Sequence, residues 1–559
     1  MGGIQKALAN SYLSLGLLAV ATIFVFFRFL PTLPTVMQDE YVYLVQTGLQ
    51  PISENEFGNF LHTFIYASIF LFGDGFYLAA KVINVVWLFS FSVSVWLTAR
   101  LYLEHWVATV IALATALSAT GLYASVLMPE MMFFALASWS IYFFALAIQP
   151  EQKRPWLMFS VSVLFLTLAG LTKPHAIILT AGLVGFLIIS VFLKREAFRK
   201  SLLRMGLVTF GYLGLKLALG FALAGTQGLT ILGASYERSL ISFFNQISAF
   251  NQGAMSASAL VINPVDAQGF SNFFLFTITH LALLTFGFAF MTLGFPMLLI
   301  RPLSKLSDFQ LLVIVISVVY LVGIAMFTAL VTFTGDNHAD RLLGRYFEFL
   351  IPLVFIAGLI ELFRREKVLL PRKILFAVSI LVFAIVWIAI ISQADFKLSD
   401  SATLLGAFRQ ELLPWLVIAF VAVLALLIID RPKQLKPIAA TALLLTVLLT
   451  GLSSQQRQIE LNSGKVSADF AGDALRNNHS EIPGDQVVVL GTNKQLAFVT
   501  KFWSVKKDVD HFVLNPESIV SANDPQLANY TLIVELSGIQ VNDGYELTTG
   551  EGFRILGKQ

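Results

Sequence analysis

The sequence predicts a polytopic α-helical membrane protein with a small C-terminal α/β domain outside the membrane. Apolar residues make up 57% of its 559 residues, charged residues make up only 13%, and the mean hydropathy is +0.78. Soluble domains usually carry about 25% charged residues. The composition therefore excludes a disordered chain and a soluble nucleic-acid-binding protein, and no nucleic acid is expected as a partner. The chain has no Cys, which excludes disulfides, thiolate metal sites and Cys nucleophiles.

Thirteen apolar stretches approach the length of about 20 residues that a helix needs to cross a bilayer. They lie at 11–30, 76–99, 106–127, 130–148, 156–172, 174–193, 205–224, 273–299, 310–333, 346–362, 373–392, 412–429 and 436–452. Only a tight break at Lys173-Pro174 separates the fifth from the sixth. We expect residues 1–452 to form one transmembrane domain.

The distribution of basic residues predicts a cytoplasmic N-terminus. With this orientation the cytoplasmic segments hold nineteen Lys and Arg, whereas the opposite loops before the C-terminal tail hold six. Basic residues concentrate on the cytoplasmic side of membrane proteins. Thirteen spans then put the C-terminus on the periplasmic or extracellular side of the inner (plasma) membrane.

Three segments on the predicted outer side are longer than a simple connection needs. Residues 31–75 carry five acids and no Lys or Arg, and residues 225–272 are mixed in charge. Residues 453–559 form a polar tail, in which Ser467–Asn477 has a helical pattern. Its strand-like runs are Gln486–Leu490, His511–Leu514, Tyr530–Glu535 and Phe553–Leu556. This alternation predicts an α/β domain over 453–559.

The first outer segment contains Gln38-Asp39-Glu40-Tyr41-Val42-Tyr43, which predicts an amphipathic helix along the membrane surface. Neighbouring side chains on a helix point about 100° apart. Asp39 and Glu40 therefore do not aim at one atom unless the helix begins between them. We expect one to be reactive and the other to support it. The alternative is that both only stabilise the helix start, by about 0.3–1 kcal/mol.

Isolated charges near the other outer connections are further candidates. Glu130 follows Pro129 in a very short connection and is either a helix-start charge or a residue lining a cavity. Lys173 precedes Pro174 and His175. Lys81 and Lys216 lie within predicted spans, where a Lys must snorkel, form a pair or line a polar cavity.

A late outer segment, residues 335–352, places His338, Arg341 and Arg345 on the side that otherwise has few basic residues. We expect an anionic partner, and the planar guanidinium of Arg suits phosphate. The alternative is internal pairing with Asp336, Asp340 or Glu348. The spacing matches no strong metal-ligand motif, and the chain contains no Walker loop, HExxH or GxSxG sequence.

Together these features resemble the GT-C superfamily of integral membrane glycosyltransferases, over about residues 10–360. The motifs that carry the resemblance are Asp39-Glu40-x-x-Tyr43, Leu71-Phe72-Gly73, Glu130 in a short second outer loop, Gly170-Leu171-Thr172-Lys173-Pro174, and Arg345-Tyr346 leading to Pro352. Thirteen spans with an outer α/β domain further resemble the aminoarabinose transferases of lipid A and their undecaprenyl-phosphate-dependent relatives. A GT-C-like fold is what this resemblance implies.

The resemblance implies an inverting enzyme of the cell envelope that moves a sugar from a polyprenyl-phosphate carrier. The acceptor is a hydroxyl of a glycan, glycolipid or protein at the outer face of the bilayer. Asp39 would be the base, and Glu40 and Glu130 are further catalytic candidates. The candidates for binding the donor phosphate are Arg345, Arg341, His338, Lys173 and Tyr346; further cavity candidates are Tyr43, His62 and Lys81. Metal dependence stays open between none, Mg²⁺ and Mn²⁺.

One departure limits the substrate that the resemblance implies. The aminoarabinose transferases have Tyr-Phe-x-Lys-Pro-Pro in the first loop, and that Lys helps to hold the donor phosphate. This chain has Glu56-Phe57-Gly58-Asn59-Phe60-Leu61-His62 in that region, without the Lys and without either Pro. The resemblance therefore implies the reaction class but not the aminoarabinose substrate.

Three alternatives to this enzyme remain. The first is a transporter or lipid-linked sugar flippase, which would have paired broken helices in two similar halves and charges at the membrane midplane. The sequence has no two-fold internal similarity, and its charges cluster outside the spans. The second is an oligosaccharide ligase or polymerase, and the third is a non-catalytic assembly subunit.

Overall fold

A computed structural model describes residues 10–34, 37–238, 240–241, 302–333, 344–363, 445, 448–449 and 451–558 of the chain. The described α-helices are α1 (Ser11–Arg28), α2 (Met37–Leu44), α3 (Phe60–Tyr66), α4 (Phe76–Arg100), α5 (His105–Leu117), α6 (Glu130–Ala147), α7 (Pro155–Thr172), α8 (Ala176–Phe192), α9 (Phe198–Ala224), α10 (Asp308–Phe333), α11 (Ile351–Phe363), α12 (451–462), α13 (Ser467–Asn478) and α14 (Lys494–Ser504). The described strands are β1 (Val487–Gly491), β2 (Asp510–Val513), β3 (Ser518–Ser521), β4 (Leu532–Leu536), β5 (Ile539–Asn542), β6 (Tyr545–Gly550) and β7 (Phe553–Gly557).

The described part of the chain contains six helices that are long and apolar enough to cross a membrane. The number becomes seven if α5 and the turn Ala119–Ser125, which bend by 48°, count as one span. The first seven predicted spans, and those at 310–333 and 346–362, all coincide with described helices or helical turns. The predicted spans at 273–299, 373–392 and 412–429, and most of 436–452, lie outside the described residues. The count of thirteen therefore stays a prediction.

The predicted third span, 106–127, is not one continuous helix. The α-helix ends at Leu117, Ser118 is extended, and a buried 3₁₀ turn follows over Ala119–Ser125. The Ser118 hydroxyl donates to the Thr115 carbonyl at 2.8 Å, and the Gln455 side chain donates to the Leu117 and Ser118 carbonyls at 3.1 and 3.2 Å. These bonds satisfy carbonyls that the break leaves free, which makes non-helical backbone tolerable at this depth.

Two other predicted spans differ at their starts. Helix α9 begins at Phe198, seven residues before the predicted start at 205. The predicted span at 346–362 begins with the 3₁₀ turns Gly344–Tyr346 and Glu348–Leu350 and becomes α-helical only at Ile351. In both places the helical backbone includes charged residues, such as Arg199 and Glu348, and a search for apolar stretches does not detect helix there.

Helix α6 lies at the centre of the described helices and is buried along most of its length. It packs against α4 and α7. Ser140 of α6 and Ser162 of α7 each donate a hydroxyl hydrogen bond to the other's carbonyl, at 3.0 and 2.8 Å. Small polar residues allow membrane helices to approach closely. The close packing fixes Glu130, the first residue of α6, relative to the C-terminal end of α7.

The C-terminal residues form the predicted α/β fold. A five-stranded sheet has the order β2-β1-β4-β7-β6, with β1 parallel to β2 and β4, and β7 antiparallel to β4 and β6. A separate parallel pair joins β3 to β5. The four predicted strands correspond to β1, β2, β4 and β7, and the predicted helix corresponds to α13. Helix α12 crosses the predicted boundary at residue 453, and the side of the membrane on which this domain lies stays a prediction.

Two glycines lie where the first outer segment and the segment that follows α9 are in close contact. Gly58 and Gly233 both have positive φ, at 73° and 93°. A Cβ on Gly233 would lie 2.7 Å from the Phe57 carbonyl carbon and 2.8 Å from the Glu56 carbonyl oxygen. The Ser235 amide also donates to the Glu56 carbonyl at 3.0 Å. The two segments therefore meet backbone to backbone, and side chains from both come close to the same site.

Candidate active site

The predicted helix at Asp39 is present as α2, which continues into one π-helical turn over Val45–Leu49. Asp39 accepts a hydrogen bond from Arg345 Nη1 at 2.9 Å, and its side chain keeps 36% of its surface exposed. Glu40 is fully buried, and its Oε1 accepts from the Tyr77 hydroxyl at 3.1 Å and from the Leu127 amide at 2.8 Å. The two acids thus point to different partners, as the helical spacing predicts.

Glu130 joins the pair formed by Asp39 and Arg345 and, with Lys173, completes a network of four charged groups. Its Oε1 lies 2.6 Å from Lys173 Nζ and 3.7 Å from Arg345 Nε. Glu130 begins α6, and Lys173 follows directly after the end of α7. We call Asp39, Arg345, Glu130 and Lys173 the charge network. It holds two negative and two positive groups, so its formal charge is zero.

The Tyr346 ring lies against both basic groups of the charge network. Lys173 Nζ lies 4.2 Å from the centre of the Tyr346 ring, and the Arg345 guanidinium lies 5.1 Å from it. Arg345 Nη2 also donates to the Tyr346 hydroxyl at 3.1 Å. The His175 ring stacks on the Tyr346 ring at 4.2 Å. Cations are attracted to aromatic faces, so Tyr346 helps to fix both basic groups.

Beside the network lies a buried polar group of side chains from the first outer segment. The His62 ring stacks on Tyr66 at 4.2 Å and meets the edge of Tyr43 at 5.6 Å. His62 is fully buried, and within the described part of the chain neither of its ring nitrogens has a hydrogen-bond partner. Asn59 donates to Gln46 at 2.9 Å, while its Oδ1 also has no partner there. Buried polar atoms normally have partners, so these atoms are exceptions within the described residues.

Lys81, predicted as a cavity residue, is on α4, and its side chain reaches the residues that follow α1. Its Nζ donates to the Phe29 and Thr32 carbonyls at 2.9 and 2.5 Å. Lys216 donates in a similar way to the Ile231 carbonyl. These bonds satisfy carbonyls at chain turns and explain why both Lys are buried. Lys81 also contacts Tyr77, whose ring centre is 4.7 Å from Lys81 Nζ.

Not every predicted site residue can be located. His338 and Arg341 lie outside the described residues. Within the described residues no group of three or more His, Asp or Glu is arranged to hold a metal ion.

The sequence reasoning missed Tyr77 and Tyr236. Tyr77 holds Glu40, and Tyr236 lies in the segment after α9, where its ring is 6.2 Å from His175 and 6.0 Å from Phe57. Tyr77 sits in an apolar span rich in aromatic residues, and Tyr236 is a single aromatic residue in a polar stretch. Neither position shows a pattern by which it could have been found.

Comparisons with known proteins bear on the family and the fold of the chain. Residues 60–234 match the family model described as dolichyl-phosphate-mannose-protein mannosyltransferase. This stretch contains Glu130 and Lys173, whereas Asp39 and Arg345 lie outside it. No curated protein matches the sequence.

Solved structures also match the chain. The oligosaccharyltransferase of Archaeoglobus fulgidus, solved tethered to an acceptor peptide, is 13% identical, with 94% of this chain and 69% of that chain covered and a TM-score of 0.50. ArnT from Cupriavidus metallidurans, solved bound to undecaprenyl phosphate, is 14% identical, with 97% of each chain covered and a TM-score of 0.49. The family match and the fold shared with the oligosaccharyltransferase confirm the resemblance of this multi-pass membrane protein to the GT-C superfamily of glycosyltransferases.

Proposed function

We propose that the protein is a membrane glycosyltransferase that moves a sugar from a polyprenyl-phosphate carrier to an acceptor hydroxyl, with inversion. The observation that carries the proposal is the pair formed by Asp39 and Arg345 at 2.9 Å. This pair brings together a carboxylate, which can take a proton, and a guanidinium, which can bind phosphate. The matched family supports a lipid-linked donor, because its description names dolichyl-phosphate-mannose.

The exposure of the two groups fits their proposed tasks. The side chain of Asp39 is 36% exposed, so an acceptor hydroxyl can reach it, whereas the side chain of Arg345 is only 8% exposed. A fixed donor in a water-poor site stabilises developing negative charge better than one in water. Arg has five N–H donors, and Asp39 and Tyr346 take one each by direct hydrogen bonds. Within the described residues Arg345 makes no other direct hydrogen bond, and its remaining donors are proposed to bind phosphate.

The proposed reaction is a single displacement at the anomeric carbon. The acceptor oxygen attacks this carbon while its proton passes to the Asp39 carboxylate, which acts as general base. The bond between the anomeric carbon and the phosphate oxygen breaks, and its electron pair leaves with the polyprenyl phosphate. Arg345 and Lys173 stabilise the charge on this leaving group. Attack from the side opposite the phosphate inverts the configuration at the sugar.

The proposal also specifies the class of acceptor and the residues that contact the sugar. The acceptor is a hydroxyl of a glycan, glycolipid or protein on the outer face of the inner membrane. His62 and Asn59 supply uncharged polar atoms for the hydroxyls of the sugar, with Tyr43 beside them. The two carboxylates of the charge network already have basic partners within 4 Å.

Cleavage of the donor in detergent tests the proposal. Cells that lack the protein should accumulate a lipid-linked sugar, which can be extracted and given to the purified protein together with an extract containing acceptors. The wild-type protein should release polyprenyl phosphate, and Asp39→Asn should release it about 10²-fold more slowly or worse. Asp39→Asn keeps the shape of the side chain and removes the base.

The same experiment separates the alternatives. A flippase also causes the donor to accumulate, but it releases no polyprenyl phosphate in detergent, where the two sides of the membrane no longer exist. An oligosaccharide ligase releases the carrier only from donors that bear longer glycans. Turnover of Asp39→Asn close to that of the wild type would reject Asp39 as the base, and Glu40→Gln and Glu130→Gln are the matched variants to compare.

A further inference from the structure

Helix α2, which carries Asp39, is too short to hold its own orientation. It has eight residues and continues only into the five-residue π-helical turn, and isolated helices shorter than about 12–15 residues are marginal in water. Side chains that follow one another on a helix point about 100° apart. Asp39, Glu40 and Tyr41 therefore face three different directions, and the partners of Glu40 and Tyr41 act together with Arg345 to fix where Asp39 points.

Within the described residues, the hydrogen-bond and ring partners of Tyr41 belong to the C-terminal α/β domain. The Tyr41 hydroxyl donates to the Lys506 carbonyl at 2.9 Å, and the residue is only 7% exposed. The Tyr41 ring lies 5.9 Å from the Phe498 ring, and Lys501 Nζ lies 5.0 Å from the centre of the Tyr41 ring. Phe498 and Lys501 are on α14, and Lys506 lies two residues after the end of that helix.

The turn after α14 fixes the position of the Lys506 carbonyl. Val505 has φ of +52°, in the left-handed region, where a β-branched residue is held only if the surroundings impose it. Lys506 Nζ donates to the Ser480 and Ile482 carbonyls at 3.1 and 2.5 Å. The acceptor of the Tyr41 hydrogen bond is thus held by the C-terminal domain itself.

Helix α14 also contacts the anchor of Glu40. Phe502 and Trp503 lie 5.5 and 5.9 Å from the ring of Tyr77. Tyr77 donates to Glu40 at 3.1 Å. One helix of the C-terminal domain therefore supports α2 twice, directly through Tyr41 and indirectly through Tyr77 and Glu40.

We propose that the C-terminal domain is a positioning element of the active site, and that Tyr41 is the positioning residue through which it orients Asp39. This inference rests on the proposed function of Asp39 as the base. Burial, and after it the charge of Asp508, raises the pKa of Tyr41 above its ordinary value. Tyr41 therefore remains a hydrogen-bond donor throughout the pH range in which the enzyme is assayed.

Tyr41→Phe tests the proposal because it removes only the hydroxyl. We expect kcat to fall about 10-fold, because a displaced catalytic group loses rate, while KM for the lipid-linked donor changes less than about twofold. Tyr530→Phe is the matched control. It removes a hydroxyl that donates to Asp510 at 2.6 Å elsewhere in the same domain, and it should keep the wild-type kcat.

A double variant shows whether Tyr41 acts through Asp39. If it does, Asp39→Asn combined with Tyr41→Phe should be no slower than Asp39→Asn alone, because residues that act as a unit are not additive. Independent losses that multiply would overturn the proposal. A folded Tyr41→Phe enzyme with wild-type kcat would also overturn it, as would equal losses in kcat, donor binding and thermal stability.

Hydrogen exchange separates failure of this inference from failure of the proposed function. The amides of α2 should exchange faster in Tyr41→Phe than in the wild type, and at the wild-type rate in Tyr530→Phe. An active Asp39→Asn enzyme rejects the proposed base, whereas unchanged exchange of α2 in Tyr41→Phe rejects the anchoring by the C-terminal domain. The exchange measurement does not depend on activity.

Discussion

At the scale of single residues, the site depends on charges that neutralise one another. Each member of the charge network has an opposite charge within 4 Å, and Glu130 and Lys173 are almost completely buried. Removing one partner of a buried pair leaves the other charge without compensation, which costs more than the pair contributes. Substitutions in this network therefore affect stability as well as chemistry, and each test needs a variant that separates the two.

Arg345→Lys keeps the positive charge and loses the planar fork. We expect weaker binding of polyprenyl phosphate and a fall in kcat of about 10²-fold, because the phosphate gains charge as the bond breaks. Arg345→Ala should be worse. Isothermal titration with polyprenyl phosphate and turnover measurements check both effects.

Arg238→Lys is the matched control for this prediction. Arg238 also pairs with a carboxylate, Glu56, but its side chain is 63% exposed, so the change should leave turnover unaltered. The sequence alone also allowed a structural pairing of Arg345 with Glu348 or Asp340. The structure pairs Arg345 with Asp39 and Glu130, and Asp340 lies outside the described residues. A stable Arg345→Ala protein that bound polyprenyl phosphate as tightly as the wild type would reject the phosphate-binding role.

Glu130→Gln should destabilise the protein more than its small change in shape suggests. Lys173, whose side chain is 6% exposed, would lose the carboxylate oxygen 2.6 Å away. The expected loss in the free energy of unfolding is about 3–5 kcal/mol. Combining Glu130→Gln with Lys173→Met should recover most of this stability and none of the activity. Thermal unfolding in detergent measures the first effect, and recovery of activity would contradict the catalytic role of the pair.

At the scale of elements, the sequence predicts what depends on local spacing. It predicts that Asp39 and Glu40 point apart, because that follows from helix geometry alone. It does not predict that Glu40 binds the Leu127 amide, which is 87 positions away along the chain. The break after Leu117 was missed for the same reason. The apolar pattern continues through it, and the bonds that satisfy the broken helix come from Gln455, which is more than 330 positions distant.

The contact between Gly58 and Gly233 offers a test at this scale. Gly233→Ala combines a strained φ of +93° with a Cβ that would lie 2.7 Å from the backbone of Phe57. We expect a loss of about 1–2 kcal/mol from the strain and a further 1–3 kcal/mol from overpacking. Thermal unfolding and hydrogen exchange of the Glu56–Asn59 backbone check the change.

Gly225→Ala is the matched control for the close approach. Gly225 has a similar positive φ of +60°, but a Cβ there would meet nothing within 4 Å. It should show the cost of strain alone. If the two variants were equally stable, close contact between the two outer segments would not be what requires a glycine at position 233.

At the scale of the whole molecule, the C-terminal domain and the first outer segment must lie on the same side of the membrane, because they touch. Lys507 lies 3.2 Å from Glu54, Arg476 lies 3.3 Å from Asp74, and the Leu33 amide donates to the Asn462 carbonyl at 2.8 Å. An even number of spans must therefore separate them. The prediction of thirteen spans puts twelve between the two regions and agrees with this parity.

The orientation itself can be tested with single cysteines, because the native chain has no Cys that would give background labelling. Asp74→Cys places a cysteine at an exposed position of the first outer segment, and Ile519→Cys does so in the C-terminal domain. Lys153→Cys places one in a predicted cytoplasmic connection. A membrane-impermeant maleimide should label the first two from outside. It should label the third only after permeabilisation.

Two results would contradict this orientation in different ways. Labelling of Lys153→Cys from outside, with protection of Asp74→Cys and Ile519→Cys, would reverse the whole molecule and move the proposed reaction to the cytoplasmic face. Labelling of only one of Asp74→Cys and Ile519→Cys from outside would separate two regions that the structure holds in contact. In that case the anchoring of α2 by the C-terminal domain would fail together with the topology, because Tyr41 and Lys506 would lie on opposite sides of the bilayer.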